Sequence, residues 1–113
     1  MQSTIVETPE FISRSKSILS DLEVKELIDY LSDYPESGDL IPGTGGVRKL
    51  RWARQGMGKS GGSRVIYFYH NDSIPLFLLT VYAKNQKDNL SATQKNELKG
   101  LLQTLVKNYR KDH

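Results

Sequence analysis

The sequence predicts an α+β domain built on a mainly antiparallel four-stranded sheet, with N-terminal helices packed on one face and a C-terminal helix. Three observations carry that prediction. Strand-length apolar stretches at 47–53, 63–70 and 76–83 follow one another late in the chain. Helix-start signals stand at Thr8-Pro9, Ser20 and Ser91. Eight of the nine glycines fall between Gly38 and Gly62, where turns and a long loop must lie. At 113 residues, the span 1–113 reads as a single domain.

Taken in order, Thr4 to Glu7 is a short strand that Thr8-Pro9 ends, because an N-cap followed by proline at the first helical position starts a helix, here to about Leu19. Ser20-Asp-Leu-Glu23 is a capping box, and Leu27, Ile28, Leu31 and Tyr34 continue an apolar stripe until Pro35 stops it. Val47 to Ala53 alternates, with Leu50 and Trp52 on one face and Lys49 and Arg51 on the other. Ser63 to His70 is apolar on both faces, the pattern of a central strand, and forms a hairpin with Leu76 to Ala83 through the turn at 71–75. A second capping box, Ser91 to Gln94, opens a helix striped by Leu98, Leu101, Leu102, Leu105, Val106 and Tyr109.

Composition excludes several classes of protein. Hydrophobic residues at 37% and charged residues at 26% suit a globular core and argue against disorder. The absence of cysteine excludes a disulfide scaffold, a thiolate zinc site and a cysteine nucleophile. No charged start followed by an apolar segment stands near Met1, and Ile74 to Ala83 is too short to span a bilayer, so a cytoplasmic protein is expected.

Charge is distributed unevenly. Residues 1–39 carry nine acidic and three basic groups, whereas residues 40–71 carry Arg48, Lys49, Arg51, Arg54, Lys59 and Arg64 and no carboxylate. Such a block is either a solvated basic face or a polyanion site, where each cation that meets a phosphate releases counterions. Residues 53–60 superficially fit a relaxed phosphate-loop pattern. Gly61-Gly62 leads into a strand, however, so no helix N-terminus follows to face a phosphate. His70 and His113 have no ligand spacing, so neither a metal nor another cofactor is expected. The remaining candidates are strand residues. Tyr82 and Lys84 leave one face with Thr80, opposite core-facing Phe77, Leu79 and Val81. If Lys49, Arg51 and Arg64 share that face, polar groups converge on one patch.

The blocks Gly43 to Arg51 (GTGGVRKLR), Gly56 to Tyr67 (GMGKSGGSRVIY) and Leu78 to Asn85 (LLTVYAKN) occur in an order and spacing that resemble the HigB-type toxins of the bacterial RelE/ParE superfamily. The resemblance implies the toxin of a type II toxin–antitoxin pair, acting as a ribosome-dependent, metal-independent mRNA endoribonuclease that halts translation. By that resemblance Arg64 stabilises phosphate, Lys49 and Arg51 stand where such toxins keep a basic catalytic pair, and Tyr82-Ala-Lys84 matches a Tyr-x-Lys strand ending. RelE itself uses a tyrosine in its C-terminal tail, and the resemblance leaves open whether Tyr82 or Tyr109 corresponds to it. RNA cleavage needs a 2′-hydroxyl deprotonated, a phosphorane stabilised and a 5′-oxygen protonated. Arg64 and Arg51 suit the phosphate, while Lys84 or Lys49 (with a pKa lowered by neighbouring cations) or Tyr82 handles protons. Arg48, Arg54 and Lys59 are then expected to contact ribosomal RNA. The implied partners are the ribosome, mRNA and a cognate antitoxin of helix-turn-helix, HigA-like type, the free toxin being a monomer. A gyrase-inhibiting ParE-like toxin and a non-catalytic nucleic-acid-binding module are the alternatives.

Overall fold

The computed structural model describes residues 4–52, 62–84 and 90–112, with side chains described as far as Tyr109. Its elements run β1 (Ile5–Glu7), α1 (Pro9–Ile18), α2 (Asp21–Asp33), β2 (Asp39–Leu40), β3 (Val47–Trp52), β4 (Ser63–Phe68), β5 (Leu76–Ala83) and α3 (Ala92–Asp112). The strands form one sheet in the order β1-β5-β4-β3-β2. Two features differ from the predicted four-stranded sheet. β2 adds a fifth strand, which two exposed residues between turn signals do not announce. β1 pairs parallel with β5, so the sheet is mixed; α1 and α2 intervene before the chain returns, and that crossover permits parallel pairing.

Local chemistry starts each helix. Thr8 Oγ1 accepts from the Phe11 N–H at 3.3 Å and donates to the Leu78 carbonyl at 2.8 Å, so the cap of α1 is also fastened to β5. Ser20 and Glu23 satisfy each other's backbone N–H groups at 3.1 and 2.9 Å, and Ser91 and Gln94 do the same at the head of α3.

The core lies on both sides of the sheet. Phe11, Ile18, Leu27 and Leu31 of α1 and α2 pack with Val65, Tyr67, Leu76, Leu78 and Val81. Leu102 of α3, with Leu98, Leu105, Val106 and Tyr109, packs against Val47, Ile66, Phe68, Phe77, Leu79 and Tyr82 on the opposite face. β4 is buried along its whole length, and apolar layers cover Val65 and Tyr67 on one face and Ile66 and Phe68 on the other. Each fully buried side chain of this kind contributes roughly 1.5–3 kcal/mol. Among the described residues, no helix is long and apolar enough to cross a membrane.

Strict alternation fails once, in β5. Ile66 pairs with Thr80 but Tyr67 pairs with Leu78, which leaves Leu79 as the extra residue of a β-bulge. Phe77 and Leu79 therefore join Tyr82 on the α3 side, while Val81 joins Leu76 and Leu78 under α1 and α2. The expectation that Phe77, Leu79 and Val81 share one face, opposite Tyr82, is corrected by that insertion.

Tyr67 anchors the connection between α2 and β2. Its hydroxyl donates to the Pro35 carbonyl at 2.9 Å and accepts from the Gly38 N–H at 2.8 Å. Burial pushes its phenol pKa up, against the lowering influence of the Gly38 bond. A Cβ at Gly38 would meet the Tyr67 ring at 2.8 Å, so only glycine fits there. Just past the same end of β4, the Tyr69 hydroxyl donates to Asp72 Oδ1 at 2.7 Å, and that carboxylate pushes the phenol up to about 12. Tyr67→Phe leaves the buried Gly38 N–H unpaired and should cost about 1–3 kcal/mol in urea unfolding. An unchanged unfolding midpoint would show that the anchor contributes nothing.

Candidate functional site

The register of three strands assembles the site. Arg51 of β3 pairs with Arg64 of β4, which pairs with Tyr82 of β5, so the three form a row across the sheet. The adjacent row is Lys49, Ile66 and Thr80. Both rows lie on the α3 side, but α3 packs toward Phe68 and Phe77, with Tyr109 5.8 Å from the Phe77 ring. Four residues of strand separate Phe68 from Arg64, or roughly 13 Å.

The members differ in accessibility. Arg51 is exposed, Lys49 and Thr80 are half-buried, and Arg64 and Tyr82 are only 4% and 3% exposed. Arg64 Nη1 donates to the Ser63 carbonyl at 3.3 Å. Guanidinium burial costs several kcal/mol unless such bonds compensate it. Lys84 is exposed one residue beyond β5, and its N–H donates to the Gly62 carbonyl at 3.1 Å, which carries the ladder past the strand end. Two arginines directly opposite one another repel, which costs a sheet stability.

Arg48 is not brought to this patch. The alternation that carries Lys49 and Arg51 to one face sends Arg48 to the other, where Nη1 donates to the carbonyls of Glu36 at 3.0 Å and Gly38 at 2.7 Å and the Glu36 carboxylate lies 3.9 Å away. Arg48 thus clamps the same turn that Tyr67 anchors. Arg54 and Lys59 lie outside the described residues. The sequence reading missed Ser63, which is fully buried and donates its hydroxyl to the Trp52 carbonyl at 2.9 Å, locking β3 to β4 beside Arg64. Its only signal is a small polar residue where an apolar strand begins. Among the described residues, no group of three or more His, Asp or Glu is placed to hold a metal.

A sheet face that concentrates arginine and lysine, with α3 packed at its far end and α1 and α2 behind the sheet, is the architecture of a small α+β protein with a cationic site. The family model described as the RelE toxin of the RelE/RelB toxin–antitoxin system matches residues 9–112, and the chain belongs to that toxin family. The fold is also similar to that of the E. coli toxin RelE, solved in the free state as a double arginine-to-alanine mutant. That match has a TM-score of 0.56 and 15% identity, covering 78% of this chain and 90% of the other.

The paired arginines predict opposite effects on stability and on function. Arg51→Leu removes a like-charge cross-strand contact and should raise the thermal midpoint by a few degrees, equivalent to about 0.2–1 kcal/mol. A lowered midpoint would mean that Arg51 contributes to folding rather than being retained at its expense.

Proposed function

We propose that the protein is a HigB-type toxin that cleaves mRNA in the ribosomal A site without a metal. The observation that carries this reading is the Arg51–Arg64–Tyr82 row beside Lys49 and Thr80 on one sheet face. Membership of the RelE toxin family supports it.

In this reaction the ribose 2′-oxygen attacks the adjacent phosphorus, the bond to the 5′-oxygen breaks, and the products are a 2′,3′-cyclic phosphate and a 5′-hydroxyl. Negative charge gathers on the equatorial oxygens of the phosphorane. Arg51 offers its guanidinium fork to them from the surface, and Arg64 adds positive charge from below, where the lower dielectric strengthens its field. The proton leaving the 2′-hydroxyl and the proton reaching the 5′-oxygen pass through Lys49 and Lys84, both of which reach solvent. Tyr82, 3% exposed, forms the wall beside Arg64 and sets the edge of the site. The ribosome supplies the alignment of 2′-oxygen, phosphorus and leaving oxygen, and such positioning lowers a barrier by several kcal/mol. Its partners are then the ribosome with its mRNA and a cognate antitoxin of helix-turn-helix, HigA-like type. The free toxin acts as a monomer in the cytoplasm.

Primer extension on a defined mRNA, with and without programmed ribosomes, tests the reading. Cuts should fall within A-site codons and require ribosomes. Arg64→Ala and Arg51→Ala, checked for folding by circular dichroism, should each lower the cleavage rate by about 10²-fold or more. Undiminished cleavage in both variants would remove the proposed phosphate site. No cleavage by the unaltered protein, combined with inhibition of DNA supercoiling, would identify a gyrase inhibitor instead.

A further inference from the structure

Three aromatic rings stand together at the surface of α2, on the sheet face opposite the Arg51–Arg64 row. Tyr30 packs at 5.6 Å and 50° against Trp52 of β3, and at 5.2 Å and 45° against Tyr34, the residue that caps α2. Arg51 and Trp52 are consecutive in β3, so alternation sends them to opposite faces. Trp52 is half-buried against the core beneath α1 and α2, whereas Tyr30 and Tyr34 are 38% and 59% exposed. The backbone under the rings is fixed. The Tyr34 N–H donates to the Tyr30 carbonyl at 2.8 Å, the Tyr34 carbonyl accepts from the Ser37 N–H at 3.2 Å, and Pro35 is fastened to Tyr67.

The rings are set among carboxylates. Between residues 17 and 47 the chain carries seven of them against the single cation Lys25. Glu26 and Asp33, both exposed, stand about one helical turn from Tyr30 on either side and are its neighbours on the helix surface. Lys25, five residues before Tyr30, lies about 140° around the helix. Exposed tyrosines beside a tryptophan are the residue types that anchor interfaces, and an aromatic face attracts a cation placed over it. The carboxylates around the rings favour that cation and repel a phosphate backbone, so a nucleic acid is a poor occupant although its bases stack on rings. Arginine fits best, because its planar guanidinium stacks on a ring while its fork donates to a carboxylate.

We propose that this face of α2 docks an arginine-bearing basic segment of a protein partner, its guanidinium stacked on Tyr30 and Tyr34 and its fork donating to Glu26 or Asp33. Docking here leaves the Arg51–Arg64 row uncovered on the other face of the sheet. A basic protein and an anionic ligand are therefore held at once, whatever reaction the row serves.

The probes are fluorescein-labelled twelve-residue peptides that alternate glycine with arginine, lysine or glutamate, titrated by anisotropy with the purified protein at low salt. Trp52 is the sole tryptophan, so its emission, followed with unlabelled peptide, reports on this face. The arginine peptide should bind saturably, about threefold or more tighter than the lysine peptide, and change Trp52 emission, while the glutamate peptide should not bind. Affinity should fall about tenfold or more in Tyr30→Leu/Tyr34→Ala and in Glu26→Gln/Asp33→Asn, each with its melting temperature retained, and stay within twofold in Arg51→Ala. Tyr34→Ala alone, which removes only an exposed ring, should lower affinity about threefold and replaces the double variant if Tyr30→Leu unfolds the protein. Absence of saturable binding, binding that leaves Trp52 emission unchanged, or affinity insensitive to the ring variants would overturn the proposal. Binding of a labelled oligouridylate that the ring variants abolish and Arg51→Ala does not would overturn it in favour of RNA, and self-association lost in the same variants would overturn it in favour of a second copy. The readout is peptide affinity, so failure of the mRNA-cleavage reading leaves this result intact, and the converse also holds.

Discussion

Everything distinctive about this protein depends on the pairing register of β4 with its two neighbours. A slip of one residue would exchange the faces of the sheet, sending Arg64 under α1 and α2 and Tyr67 toward α3. Burial prevents that slip: β4 is covered on both sides, and Val65 and Tyr67 cannot trade places with Arg64 and Ile66 without placing a guanidinium in the first core. The hydroxyl of Ser63 on Trp52 and the Tyr67 bonds to Pro35 and Gly38 hold the two ends of the strand in the same register. The apolar order of the core therefore also orders the cations.

The bulge at Leu79 is the second constraint. Without it, alternation from Leu76 and Leu78 would turn Thr80 and Tyr82 toward the first core and away from Arg64. With one residue inserted, Leu76 and Leu78 still serve the α1 and α2 side while Tyr82 crosses to stand beside Arg64. A bulge beside a candidate site re-aims a side chain at the cost of one unpaired residue.

The sheet's two faces are used differently. Two helices close one face, whereas α3 packs at one end of the other and the arginine row lies toward the opposite end, Arg51 exposed and Arg64 buried. Like charges opposed at Arg51 and Arg64 repel across the strand pair, at a cost in sheet stability. Their tolerance rests on the apolar burial along β4 and β5.

Much of this was legible from local chemistry. The caps at Thr8, Ser20 and Ser91, the central-strand character read for 63–70, of which β4 takes 63–68, the bounds of β5, and the opposite facing of Lys49 and Arg51 from Leu50 and Trp52 all follow from interactions within a few residues, which a sequence carries in full. The cationic composition of the site was legible for the same reason, since residues 40–71 contain no carboxylate. What only the tertiary structure decided is whatever depends on a partner strand or helix. The parallel return of β1, the existence of β2, the bulge that moves Val81 away from Leu79, the turn that captures Arg48, and the end of the sheet that α3 covers are each set by pairing and packing across tens of residues. A strand's own sequence specifies its period, but its register and its cover are properties of the pair.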